Sequence, residues 1–273
     1  MENNNFTQNY RKQKRWEIAQ AHEKDYWGYV KSNITKEDNE QIKKYWNQYL
    51  EVINKHIIIN QNSKILEIGS GPEGIINYIS NGEKYALDPL MDYYRENFKL
   101  SEDVRWSKGV GEKMPFENNY FDVVISTNTL DHTSNPQKVI DEIKRVLKNN
   151  GFLFLTVDCH QPFSKKYRKM KEFFKKGDKL HPYSFSIKDV VGLIKKAELT
   201  SIFIQQGIGD LGRYTINESQ ASRPIFFERV HQLYKEKGII ALLDASINKA
   251  LISLERKIIG IGDKIDFIFI AKK

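Results

Sequence analysis

Residues 65–74 read ILEIGSGPEG, a short apolar run that ends in a glycine-rich turn. Gly69, Gly71 and Gly74 match G-x-G-x-x-G, between a strand pattern and an apolar-faced helical pattern at about 74–81. Glycine at 69 and 71 lets the backbone turn tightly and approach a ligand, and a helix that starts there presents free N–H groups. Asp88 lies 19 residues after Gly69, at the end of the next strand KYALD (84–88). A carboxylate there accepts hydrogen bonds from both hydroxyls of a ribose. Up to this point a nicotinamide dehydrogenase explains the pattern as well as any other nucleotide-binding protein.

Outward from this turn, short apolar runs alternate with helical patterns. VRWSK (104–108), FDVVIST (121–127), FLFLTVD (152–158), TSIFIQQ (200–206) and KIDFIFIAKK (264–273) read as further strands. Val139, Ile140, Ile143, Val146 and Leu147 have helical spacing within 135–148, before a stop at NNG (149–151), and 186–199 is a second amphipathic helix. Strands alternating with helices predict a parallel sheet covered on both faces. Residues 10–58 read as two helices broken at 33–39, after a polar tract of nine residues. Nearly sixty residues before the last strand are too many for a loop and predict a helical insertion. The expected organisation is an N-terminal helical cap or lid (1–59), an α/β domain (60–206 plus 264–273) and a helical insertion (207–263).

The chain has 273 residues, of which 40% are hydrophobic, enough for a sizeable core without staples. Cys159 is the only cysteine, so neither a disulfide framework nor a multi-cysteine zinc site is expected, and a reducing compartment is. Polar residues followed by RKQKR at the N-terminus predict no signal peptide. The longest greasy stretch, 239–254, is broken by Asp244, Asn248 and Lys249 and is too short and polar for a bilayer span. A formal charge of +8 suits an anionic partner without choosing among nucleic acid, phosphorylated substrate and membrane surface.

Two further stretches separate the possibilities left open by the glycine turn. GEKMPFENNYFDVVIS (111–126) follows the third strand and IDEIKRVLKNNGFLFLTV (140–157) follows the fourth. With ILEIGSGPEG and Glu67 they resemble the class I S-adenosylmethionine-dependent methyltransferases, in the branch with "LPF…FD" and "RVLKPGG" stretches (methyltransferase type 11-like). The resemblance covers about 60–206 and resumes at the last strand. It implies a three-layer α/β/α Rossmann-like fold, sheet order 3-2-1-4-5-7-6, with strand 7 antiparallel. It also implies S-adenosyl-L-methionine as cofactor. Glu67, Gly69, Ser70 and Gly71 would form its methionine side, Asp88 its ribose contact, Gly111 and Glu112 its adenine flank, and Asn128 the region near its amino-acid end or methyl group. The chain departs from the family in a loop lengthened by Pro72-Glu73-Gly74, and in Val110 where an acid often faces the adenine.

Methyl transfer to a hydroxyl benefits from a base, and His is the commonest. His132 and His160 fall after the fourth and fifth strands, the side where open α/β sheets hold substrates. His181 precedes the next helix, and Asp131 adjoins His132. His160, favoured slightly, His132, His181 and Asp131 are the catalytic candidates. No metal site is expected, because these acids and histidines lack ligand spacing. WEIAQAHEKDYW (16–27) reads as a lid or as a cap on the sheet edge. SKKYRKMKEFFKKGDK (164–179) carries eight basic residues near the expected substrate side. The amphipathic insertion favours an apolar roof over a nucleic-acid groove. The leading expectation is therefore methylation of a small or lipid-linked, anionic molecule, such as O-methylation of a glycan hydroxyl. It would take place in the cytoplasm or peripherally at the inner membrane surface, with no nucleic acid involved. The alternatives are RNA or protein methylation, and a non-catalytic S-adenosylmethionine-binding regulatory protein.

Overall fold

The computed structural model describes residues 2–160, 182–207 and 264–273. His181, the basic segment 164–179 and the expected insertion, apart from Gly207, lie outside these residues.

Two N-terminal helices, α1 (Glu2–Asn33) and α2 (Lys36–His56), precede the sheet. Strands β1 (Lys64–Ile68), β2 (Glu83–Asp88) and β3 (Val104–Lys108) follow, with helix α3 (Met91–Asn97) between the last two. Then come β4 (Phe121–Thr127), α4 (Pro136–Val146), β5 (Leu147–His160), α5 (Ile187–Lys196), β6 (Thr200–Gln206) and β7 (Lys264–Lys272). The sheet order is β3-β2-β1-β4-β5-β7-β6. β7 runs antiparallel to both β5 and β6 and the other pairings are parallel, so the expected topology is the observed one.

Period-two alternation splits the core into two layers. Leu66, Val124, Leu153, Leu155 and Phe269 face α4 and α5, packing on Val139, Ile140, Ile143, Val190 and Ile194. Ile65, Val123, Ile125, Phe154, Ile268 and Ile270 face the other way, onto Tyr49, Val52 and Ile53 of α2 and onto Ile75 and Ile76. The N-terminal cap thus shares its core with the sheet. No helix among the described residues is long and apolar enough to cross a membrane.

Three local expectations differ from the structure. The break between the N-terminal helices is two residues, not seven. Thr35 closes a capping box, its Oγ1 accepting from Asp38 N at 3.2 Å while its own N donates to Asp38 Oδ2 at 2.8 Å, so the helix restarts at Lys36. The polar first residues are helical from Glu2. The helix expected at 74–81 is a single 3₁₀ turn, Ile75–Tyr78. Gly74 before it and Ile79 after it are extended, and Gly82 (φ +92°) returns the chain to β2, which leaves too few residues for an α-helix. Lastly, NNG is not where α4 stops. The helix ends at Val146, and β5 begins at once with an irregular register opposite Phe121 and Val123, Asn150 taking φ +66°.

One clamp joins two of the sequence stretches. Arg145 donates to the carbonyls of Met114 (3.0 Å) and Phe116 (2.7 Å), and to Glu142 through Nε and Nη2. Glu142 in turn accepts from Met114 N at 2.8 Å. Arg145→Ala should lower unfolding free energy by about 2 kcal/mol, since several charge-assisted bonds to the 114–118 loop disappear together. Urea unfolding monitored by circular dichroism checks this value.

Candidate active site

A cleft opens beyond the carboxyl ends of β1, β2 and β4, where open α/β sheets bind ligands. It holds about 970 Å³ of empty space, part of it open to solvent. Gly69, Ser70, Gly71, Asp88, Gly111, Glu112, Asn128 and His132 all line it.

The glycine loop is held from behind. Glu67 sits on the same face of β1 as Ile65 and is fully buried. Its Oε2 accepts from Ile76 N at 2.9 Å and its Oε1 from Thr127 Oγ1 at 3.2 Å. Burial pushes its pKa up to about 7, against the opposing effect of these bonds. Glu67 therefore supports the loop from outside the cleft wall, and it takes up a turn N–H that the sequence reading left free for a ligand. Gly69 (φ +67°) and Gly71 (φ +54°) occupy left-handed backbone. A Cβ on Gly69 would run into Thr129, and one on Gly71 would lie 2.7 Å from Trp27 Cζ2. Asp88 Oδ2 accepts from Gly71 N at 3.1 Å and Oδ1 from Leu90 N at 2.8 Å. Burial raises the Asp88 pKa to about 6.

The opposite wall follows β4. Asn128 takes φ +48°, with its N–H on Thr156 O at 3.0 Å. Glu112 Oε1 accepts from Ser134 N (2.6 Å), Ser134 Oγ (2.7 Å) and Asn135 N (3.1 Å), which ties the adenine-side segment to the start of α4. His132 Nδ1 lies 3.7 Å from Glu23 Oε1, and Nε2 lies 3.9 Å from Asp131 Oδ1.

The catalytic candidates separate. His132 lines the cleft and Asp131 stands buried beside it. His160 is buried at the end of β5, with its N–H on Phe185 O at 2.7 Å, and is not part of the cleft wall. His181 lies outside the described residues.

Sequence reading missed Glu23, Gln20, Trp46, Tyr94 and Thr129 among the cleft residues. A signal for some of them was present. Trp16, Gln20, Glu23 and Trp27 follow a 4-3-4 spacing, one face of a helix, and all four line the cleft. α1 thus forms part of the cleft wall, anchored by Trp27 against Tyr94 and Phe98 (centroids 6.1 and 6.0 Å) and by Lys31 Nζ on Asn97 Oδ1 at 3.0 Å.

Residues 66–155 match the family described as "Methyltransferase domain". Residues 66–155 thus form a methyltransferase domain, similar to those of S-adenosylmethionine-dependent enzymes. A sarcosine/dimethylglycine N-methyltransferase of Aphanothece halophytica is 31% identical over 102 residues, 34% of this chain and 37% of that protein. A sterol 24-C-methyltransferase of Pneumocystis carinii is 31% identical over 106 residues, 35% of this chain and 28% of its own. The chain therefore spans well under half the length of either relative. Among solved structures, phosphoethanolamine N-methyltransferase 2 of Haemonchus contortus in complex with S-adenosyl-L-methionine superposes with a TM-score of 0.53 at 18% identity. That alignment covers 84% of this chain and 52% of the other. The methyltransferase domain's own geometry fits the cofactor. The buried Ser70 Oγ lines the cleft with no hydrogen-bond partner among the described residues, a place for a polar group of the cofactor.

The raised Glu67 pKa gives a signed expectation. The folded protein holds this proton more tightly than the unfolded chain, so stability is fully present below about pH 4.5 and declines as pH rises to about 7. Glu67→Gln should remove that slope, worth at most about 3 kcal/mol across the window. Parallel denaturation series of wild type and variant at several pH values measure the difference.

Proposed function

We propose that this protein methylates a small or lipid-linked molecule held between α1 and the segment after β4, using S-adenosyl-L-methionine. The observation that carries the reading is the composition of one cleft, with the glycine loop and Asp88 on one wall and His132 on the other. In this reading Gly69, Ser70 and Gly71 receive the methionine part, Asp88 accepts from the ribose hydroxyls, Gly111 and Glu112 flank the adenine and Asn128 borders the methyl group. When bound, the cofactor supplies an electrophilic methyl on a sulfonium. The chain's part is to orient the acceptor, exclude water under α1 and take a proton.

His132 is the group for that proton, because it is the one histidine in the cleft wall as described. Glu23 and Asp131, on either side of its ring, stabilise the imidazolium that results. His160 acts in this reading only by fixing the end of β5. A glycan hydroxyl remains an acceptor consistent with a base at His132. The anionic character expected from segment 164–179 has no counterpart in the cleft, where no lysine or arginine is among the described lining residues. Cytoplasmic location, peripheral to the inner membrane when the acceptor is lipid-linked, belongs to the same proposal. A cofactor-binding protein without turnover is the second reading, favoured by Val110 at the adenine end.

Incubation with labelled methyl donor and fractionated extract tests the first reading: label should enter a small-molecule or lipid fraction. Label in RNA or protein, or tight cofactor binding with no transfer to any fraction, sinks it. Two variants add detail. His132→Ala should cut turnover by about 100- to 10,000-fold, with the cofactor dissociation constant within about threefold of wild type. For Asp88, the ribose contact needs the carboxylate. Cofactor affinity should hold above about pH 6 and fall about tenfold per pH unit below it, and Asp88→Asn should flatten that profile in calorimetric titrations.

A further inference from the structure

The charges of the cleft wall are one-sided. Glu23, Glu73, Asp88 and Glu112 line it, and His132 is the basic residue among the described lining positions. Two of the four acids are committed to backbone. Asp88 accepts from Gly71 N and Leu90 N, and Glu112 from Ser134 N and Asn135 N. Glu23 and Glu73 are placed differently. Glu23 projects from α1 and meets His132 at 3.7 Å, its side chain 35% exposed. Its charge reaches into the cleft, where it helps raise the pKa of Asp88 and of Tyr94. Glu73 is half-buried, and burial raises its pKa. Its backbone carbonyl accepts from Trp46 Nε1 at 2.8 Å, and Trp46 and Glu73 both line the cleft.

Aromatic faces accompany these acids. Trp16, Trp27, Trp46 and Tyr94 line the same cleft, three of the four tryptophans in the chain. Carboxylates with tryptophan walls in a partly desolvated cleft form a surface for a cation, combining Coulomb attraction with the negative face of the indole ring. The same wall repels an anion, which would find no lysine or arginine opposite it. The buried Ser70 Oγ, without a partner among the described residues, opens on this cleft and marks it as built to receive a polar ligand.

We infer that the acceptor carries an ammonium group, bound by Glu23 and Glu73 among Trp16 and Trp46, whichever of its atoms receives the methyl. This rests on the methyltransferase reading and narrows its substrate class. Glu23 is then a specificity residue, and its position on α1 makes that helix part of acceptor recognition.

The test uses the full chain saturated with S-adenosylhomocysteine, titrated calorimetrically with choline and with its neutral isostere, in which carbon replaces the nitrogen. Choline should bind at least about tenfold more tightly than the isostere, and the preference should shrink as salt is added. Glu23→Gln should abolish most of the preference, Glu23→Asp should keep part of it, and Glu73→Gln should weaken it independently. S-adenosylhomocysteine binding by each variant reports that it is folded. Equal affinity for the two probes, or no binding of choline at millimolar concentration while S-adenosylhomocysteine stays bound, overturns the inference. Wild-type protein that fails to bind S-adenosylhomocysteine removes the methyltransferase reading itself, and the inference with it.

Discussion

A carboxylate buried without a countercharge stands where the glycine loop leaves the sheet. Desolvating Glu67 is costly, and its bonds to Ile76 N and Thr127 Oγ1 offset only part of that cost, which is why its pKa sits near 7. What the arrangement gains is rigidity at a junction. The side chain spans from β1 to the turn after the loop and across to the end of β4. Gly69 N on Leu87 O at 2.8 Å and Gly71 N on Asp88 add ties to the end of β2. Three strand ends and the loop therefore move as one body, and the cofactor side of the cleft is set by the sheet rather than by loop preference.

The opposite wall is set by a second, half-buried system. Arg145 and Glu142 lie on the last turns of α4 and hold the 114–118 segment by its carbonyls and one N–H. Glu112, at the other end of that segment, holds Ser134 and the N-cap Asn135 just before α4. A helix packed on the sheet by Val139, Ile140 and Ile143 thus fixes an otherwise irregular stretch at both ends. This explains why the MPF and KRVL stretches occur together. They are two halves of one hydrogen-bonded clamp, and neither alone would place Gly111 over Val139.

The sheet was legible because its signals are local. Alternation in β1, β4 and β7 and the period of α4 follow from burial on one face, and order and direction came with the resemblance carried by three motifs. Errors fell where a long-range partner overrides local preference. The pattern at 74–81 has a helical apolar face, yet Glu67 takes the turn's N–H from nine residues away and Gly82 ends the room available. In the site, the glycines and Asp88 were legible from spacing, since backbone geometry requires them there. Choosing between His132 and His160 was not possible from sequence, because both follow a strand on the same side. What separates them is the depth to which β5 carries its last residue beneath Phe185. The face of α1 was readable as 4-3-4 spacing. Its target was not, because a polar stripe on a helix points to a cleft only once the cleft exists.

α1 differs in kind from the two rigid walls. Two of its polar ties to the domain, Lys31 to Asn97 and Glu23 to His132, are exposed or partly exposed contacts of the sort that contribute roughly 0–1 kcal/mol each. Buried Ala19 and Val30, and Trp27 edge-to-face with Tyr94 and Phe98, add apolar packing. That same indole lies over Gly71, where any side chain would displace it. One turn earlier on the same helix, Glu23 meets His132 across the cleft. Both contacts belong to one helix, so the place of Trp27 over the glycine loop and that of Glu23 beside His132 are set together.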